Sequence, residues 1–208
     1  MSTRVVLATR NAGKIAELRT ILSEADLDIE LVGVDAFGGL EDVPETGDSF
    51  AANALLKAHA VSAATGLAAI ADDSGLSVDA LNGMPGIFSA RWSGRHGDDD
   101  ANLQLLLGQL SDVPDERRGA EFVCAAVYVD PTGAEFVCKA SLRGRIIRER
   151  RGANGFGYDP IFEVGAVTTA EMSAADKHAI SHRGQAFRAL ADQLRRHLAG
   201  WDASDPRR

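Results

Sequence analysis

Short continuous apolar runs alternate with apolar residues at helical spacing along nearly the whole chain, and this mixture constrains the fold most. Val5-Val6-Leu7-Ala8 reads as a buried strand, and Ile15, Leu18, Ile21 and Leu22 follow it at the period of a helix. A second strand is predicted near Ile29–Val34, then a helix capped by Asp48 or Ser49, running to about Ala64 and stopped by Gly66. Leu67–Ala71 reads as a short strand ending in Asp72-Asp73-Ser74-Gly75. Phe122–Val129, apolar on both faces, turns through Asp130-Pro131-Thr132-Gly133 into the half-exposed Glu135–Leu142. Phe187, Leu190, Leu194 and Leu198 mark a last helix, and the tail after Gly200 is expected to fray. The fold class is therefore α/β with a mixed sheet and flanking helices, because a hairpin interrupts the strand–helix alternation.

Composition narrows the partners. A formal net charge of −8 argues against a nucleic-acid backbone. No run is apolar for long enough to span a membrane, and the start MSTRVVLATRN lacks a signal-peptide core, so a cytoplasmic location is expected. Residues 1–104 carry 7 Lys/Arg against 16 Asp/Glu, while 105–208 carry 15 against 14. An acidic half that holds a cation against an arginine-rich half suits a phosphorylated small molecule; solvated surface charge gives the same asymmetry. Cys124 and Cys138 lie on the two hairpin strands and are expected to be reduced core thiols, since no CxxC spacing or His partner accompanies them.

Several segments carry possible chemistry. Thr9-Arg10-Asn11-Ala12-Gly13-Lys14 joins a strand to a helix, which gathers backbone N–H groups and a positive dipole end at one point. It is not a Walker A loop, because Ile15 follows Lys14. A plain strand–turn–helix joint with a solvated lysine has the same pattern. Asp72-Asp73 at a strand end can hold a hard cation and orient a water; a turn in which Asp72 or Ser74 caps backbone N–H groups is the alternative. Asn53 and Lys57 share one helix face. Phe156-Gly157-Tyr158-Asp159 places aromatics and a carboxylate in a turn suited to stacking a base, unless Phe156 packs in the core. Ser173 and Asp176 form a capping box ahead of Lys177, and Ser181-His182-Arg183-Gly184 opens the last helix. Asp98-Asp99-Asp100 opens a helix too, and its acids are assigned to the helix dipole rather than to a metal.

Together, ATxNxGK (Ala8–Lys14), ETGxxFxxNAxxKA (Glu45–Ala58), ADDSGLxVDxLxGxPGIxSARxSG (Ala71–Gly94), GFGYDPIF (Gly155–Phe162) and Lys177 with AISHRGQA (Ala179–Ala186) resemble the inosine triphosphate pyrophosphatase family. The resemblance implies an elongated mixed sheet split into two lobes around a cleft, formed by a single domain over 1–200 with a tail at 201–208. It implies hydrolysis of ITP, dITP or XTP to the monophosphate and pyrophosphate, with Mg2+ as cofactor and a homodimer as the assembly. Thr9–Lys14 and Lys57 would bind the triphosphate. Asp73 would be the general base and, with Glu45, a magnesium ligand, although Glu41 and Asp42 lie in the same loop. Ser74 would contact substrate, while Phe156, Gly157, Tyr158, Asp159, Lys177, His182 and Arg183 would enclose and read the base. Arg10 stands where the family often has Gly, so either the backbone there is ordinary or Arg10 adds a phosphate contact. The rival readings are a Maf-type pyrophosphatase of other modified nucleotides and a nucleotide sensor without turnover. The 82–97 loop, with Ile87, Phe88 and Trp92, is expected to be exposed and to suit a dimer interface.

Overall fold

The computed structural model describes residues 3–38 and 40–199. In chain order its elements are β1 (Thr3–Leu7), α1 (Ala12–Glu24), β2 (Ile29–Gly33), α2 (Phe50–Thr65), β3 (Ala68–Val78), α3 (Asp99–Gln109), β4 (Gly119–Val129), β5 (Glu135–Ile146), β6 (Phe162–Val164), β7 (Val167–Thr168), α4 (Ala174–Ile180) and α5 (His182–Ala199), with short 3-10 turns between them. The strands form one sheet in the order β2-β1-β3-β4-β5-β6-β7. Its β2-β1-β3 side is parallel and the rest antiparallel, which is the mixed α/β sheet expected. Among the described residues no helix is long and apolar enough to cross a membrane. The tail 201–208 lies outside the described residues.

Local chemistry explains the element ends. Ser49, rather than Asp48, caps α2 by accepting the Ala52 N–H, and Gly66 closes the helix at φ 66°. Burial then sorts the faces. α1 and α5 cover one face through Leu18, Ile21, Phe187, Leu190 and Leu194, against Ile70, Ala126 and Tyr128. α2 covers the other through Ala54, Ala58 and Val61, against Val6, Ala69, Ala71 and Val127. A third cluster sits at the far end of the long strands, where Leu103, Leu106 and Leu110 of α3 meet Leu76, Ile146 and Phe162. Each such large side chain, fully buried, contributes ~1.5–3 kcal/mol. Cys124 and Cys138 are free and buried, as expected. The register sets Cys124 opposite Ala140 and Cys138 opposite Ala126, so the thiols are diagonal neighbours on one face.

Two expectations need correction. β3 does not end at Ala71: it runs to Val78, with Asp72 opposite Ala126 and Asp73 opposite Ala125. The strand continues because β4 offers a complete ladder and because both carboxylates meet cations. Gly75 is likewise no turn residue but a point of close approach. A Cβ there would lie 2.5 Å from Ser89 Oγ, 2.6 Å from the Gly86 carbonyl and 2.8 Å from the Phe50 ring.

The second correction concerns the 82–97 loop, which folds back over β3 at that glycine through a 3-10 turn at Gly86–Arg91. Phe88 is exposed, as is the neighbouring Met84. Ile87 is half-buried. Trp92 packs on the third cluster and donates its indole N–H to Gln109 Oε1 at 2.8 Å.

Candidate functional site

Successive side chains of a strand point to opposite faces, so the mid-strand position of Asp72 and Asp73 sends them to different helices. Asp72 is buried toward α1 and α5. There Lys14 Nζ donates to both of its oxygens, at 2.9 and 2.8 Å. Arg183 Nε donates at 3.3 Å and the Ser74 hydroxyl at 3.4 Å. Burial alone would raise this carboxyl, but Lys14 and Arg183 outweigh it and hold it at about 2.

Asp73 points the other way, to α2. Asn53 Nδ2 donates to it at 3.3 Å and Lys57 Nζ at 3.2 Å. Lys57 Nζ also reaches Glu45 Oε1 at 3.1 Å, and the second Glu45 oxygen accepts from Arg91 Nη1 at 2.8 Å. Asn53 is buried and steadies the Glu45 loop by accepting the Gly47 N–H at 2.8 Å. The two carboxylates that share Lys57 are pushed apart. Burial, helped by the charge of Glu45, raises Asp73 despite Lys57 and Asn53. Glu45 is lowered, because Arg91 and Lys57 outweigh its burial. Such a split gives one stable anion and one better proton acceptor in a single cleft.

Above Lys57 lies a cleft of about 700 Å³, lined among others by Thr9, Arg10, Asn11, Glu45 and Arg91. The Thr9–Lys14 turn forms part of its wall in a manner only partly expected. Asn11 Oδ1 already accepts the Gly13 and Lys14 N–H groups, at 2.9 and 3.2 Å, and Thr9 Oγ1 accepts the Asn11 N–H at 3.2 Å. The helix start is therefore capped from within, with Ala12 as its first residue. Lys14 leans away from the turn toward Asp72. Arg10 has an ordinary backbone, since Asp26 and Asn82 are the non-glycine residues at positive φ among those described. Its side chain pairs with Asp42 and Asp35 and donates to the Leu40 carbonyl at 2.7 Å. That pairing separates the loop acids: Asp42 is tied to Arg10, and Glu45 meets Lys57.

On the opposite side of Asp72 and Ser74, Leu76, Phe122, Phe156, Tyr158 and His182 line a smaller pocket of about 180 Å³, with Arg183 at its edge. Phe156 does not pack in the core; it is 68% exposed, with Lys177 Nζ 5.4 Å from its ring centroid. Tyr158 is buried and donates its hydroxyl to the Ser89 carbonyl at 2.9 Å. Asp159 is buried and committed to structure. It accepts the Phe156 N–H at 2.8 Å and the Thr169 hydroxyl at 2.7 Å, and it pairs with Lys177. His182 stacks on Phe122 with centroids 5.2 Å apart and planes within 10°. Burial, then the charges of Arg183 and Lys177, push its imidazole down to about 4, so it is neutral at pH 7.

The structure thus gathers Glu45, Lys57 and Asp73 on one face. It gathers Ser74, Phe156, Lys177, His182 and Arg183 around the other pocket, with Gly157, Tyr158 and Asp159 framing the turn. Two participants escaped the sequence reading, and a third was placed only in part. Asp72 was read with Asp73 as one cation-holding pair, or as a turn cap, although period two would have given it a face of its own. Arg91 sits in a loop with no periodicity to place it. Phe122 read only as a strand residue.

A model described as the Ham1 family matches residues 5–193. The chain is 60% identical over 195 residues to a protein of Streptomyces coelicolor named dITP/XTP pyrophosphatase, covering 93% of this chain and 98% of that protein. It is 54% identical over 201 residues to a protein of Cutibacterium acnes with the same name, covering 95% and 98%. Its fold superposes on the Staphylococcus aureus Ham1 protein with a TM-score of 0.87 at 40% identity, covering 94% of this chain and 100% of that one. A Mycobacterium abscessus structure described as a nucleoside-triphosphatase / dITP/XTP pyrophosphatase gives 0.81 at 53% identity, covering 92% and 100%.

Proposed function

This chain belongs to the Ham1 family, and on that basis we propose that it hydrolyses noncanonical purine nucleoside triphosphates (ITP, dITP and XTP) to the monophosphate and pyrophosphate in the cytoplasm. One observation carries the reading: a single strand sends adjacent carboxylates to opposite faces, one toward Lys57 and a cleft that holds Arg10 and Arg91 together with the acids Glu41, Asp42 and Glu45, the other toward an aromatic pocket. A nucleoside triphosphate has the same polarity, with anionic phosphates at one end and a flat base at the other.

The divalent cation that this chemistry calls for fits the donor set. Glu45 and Asp73 are hard carboxylate ligands that already converge on one cation, the Lys57 ammonium, and burial, with the charge of Glu45 added, raises Asp73. No third histidine, cysteine or carboxylate completes a metal-binding cluster with them among the described residues. Magnesium suits such a site, since it is held by one or two carboxylates with the rest of its shell from phosphates and water. When bound between Glu45 and Asp73, it would neutralise charge on the triphosphate.

The chain's own residues supply the rest. Lys57, with Arg91 beside it, lines the cleft where charge builds on the departing pyrophosphate. Asp73 takes a proton from the attacking water while the water oxygen bonds to the α-phosphorus and the bond to the bridging oxygen of the β-phosphate breaks. Asp72 holds Lys14 and Arg183 in place between cleft and pocket. Phe156 stacks on the base, and His182 and Arg183 offer N–H donors to its C6 oxygen.

A panel of nucleoside triphosphates with magnesium, scored separately for pyrophosphate and free phosphate, tests this directly. Pyrophosphate should appear in equal amount to monophosphate from ITP, dITP and XTP, and EDTA should stop the reaction. Release of single phosphates, or nucleotide binding without turnover, would overturn it.

We also propose a homodimer, with the exposed Phe88 and Met84 of the 82–97 loop at its interface. Light scattering at micromolar concentration should give twice the 22.0 kDa chain mass. A mass equal to one chain counts against the dimer.

A further inference from the structure

The three acids that open α3 do three different things. Asp98 caps the helix, accepting the Ala101 N–H at 3.1 Å. Asp100 pairs with Arg150 at 2.6 Å. Asp99 is exposed, yet its Oδ2 accepts the backbone N–H of Gly157 at 2.9 Å, across 58 residues of sequence. Asp99 also borders the aromatic pocket. Capping explains Asp98, and the dipole favours acids at Asp99 and Asp100 without explaining the contacts those two make.

The Asp99 contact grips the turn that carries Phe156, while Asp100 holds Arg150, which lies ahead of that turn in the chain. That turn is flanked by Gly155 at φ 79° and Gly157 at φ 60°, two residues that resist backbone rotation less than any others. Its two successive N–H groups go to carboxylates from opposite sides: Phe156 N–H to the buried Asp159, and Gly157 N–H to Asp99. Asp159 anchors the turn from within, and Asp99 is its tie to α3.

We propose that Asp99 is a positioning residue for base recognition, holding the Gly155–Gly157 turn so that Phe156 stays over the pocket. This rests on reading that pocket as the base site, but the hydrogen bond can be tested without substrate. In Asp99→Ala, hydrogen exchange at the Gly157 amide should speed up by about tenfold or more, as expected when a charge-assisted hydrogen bond is lost. The Phe156 amide, held by Asp159, should be unaffected. With ITP, KM should rise by a similar factor while kcat changes little, because the reacting groups on β3 are untouched.

Asp99→Asn separates this role from the helix dipole. Its side-chain oxygen still accepts the Gly157 N–H but carries no charge. A tie to the turn predicts that Asn, which keeps a neutral hydrogen bond, recovers part of the exchange protection and KM lost in Ala; a dipole role predicts that Asn behaves like Ala. Unchanged Gly157 exchange in Asp99→Ala, or an Asn variant as impaired as Ala, overturns the proposal. Faster exchange with unaltered KM would show that the tie exists but does not position Phe156 for the base, and it too overturns the proposal.

Discussion

Asp73→Asn is expected to abolish turnover while leaving nucleotide binding largely intact. The substitution keeps the shape of the side chain and one of its two oxygens, which still accepts from Lys57 or from Asn53, and the β3–β4 ladder does not depend on the lost one, so the strand should survive. It removes the charge that takes the proton and helps to hold the cation. A general base contributes ~10²–10⁴-fold to a rate, and losing a metal ligand adds to that. The wild type should also lose kcat/KM on the acid side as Asp73 becomes protonated. Its carboxyl is raised by burial and by Glu45, so this limb should lie above the ordinary aspartate value of about 3.9. A variant within about tenfold of wild type would mean that less than ~1.4 kcal/mol of the barrier depends on this carboxylate, and the base would have to be sought elsewhere.

The second large effect concerns the base. Hypoxanthine and xanthine present an oxygen acceptor at C6, where adenine presents an amino donor. His182, neutral and fixed by its stacking on Phe122, and Arg183 both border the pocket with N–H groups. Donors aimed at C6 pair with the first bases and leave adenine with none accepting. Sites built on polar pairing discriminate by on the order of 10⁴, so ITP and XTP should be strongly preferred over ATP. Arg183→Ala should lower kcat/KM for ITP by ~10–100-fold more than for ATP, the worth of a hydrogen bond from a charged donor. The Arg183–Asp72 contact at 3.3 Å supplies the opposing outcome. Equal loss on both substrates would mean that Arg183 acts by steadying Asp72 and Lys14, and that base reading rests on His182 or backbone N–H groups.

The sequence alone determined the types and order of most elements, several of their ends, and the family, but not β6, β7 or the second half of β3. Strand and helix periods, a cap at Asp48 or Ser49, the Gly66 stop and the apolar face of α5 are interactions between residues a few positions apart, so each is legible locally. The five matching segments are legible for the same reason, as strings of neighbours. Tertiary structure decided which charges meet. Asp72-Asp73 looks like a turn when read alone. It is mid-strand because β4 pairs with it along its whole length, and that pairing sends the two carboxylates to opposite faces. Lys14 reaches Asp72 across 58 positions and Arg183 reaches it across 111, while Arg91 reaches Glu45 across 46. Such partners are set by sheet register and by which helix covers which face. The resulting shifts at Asp72, Asp73 and His182 come from burial and neighbouring charge, and neither exists until the chain has folded.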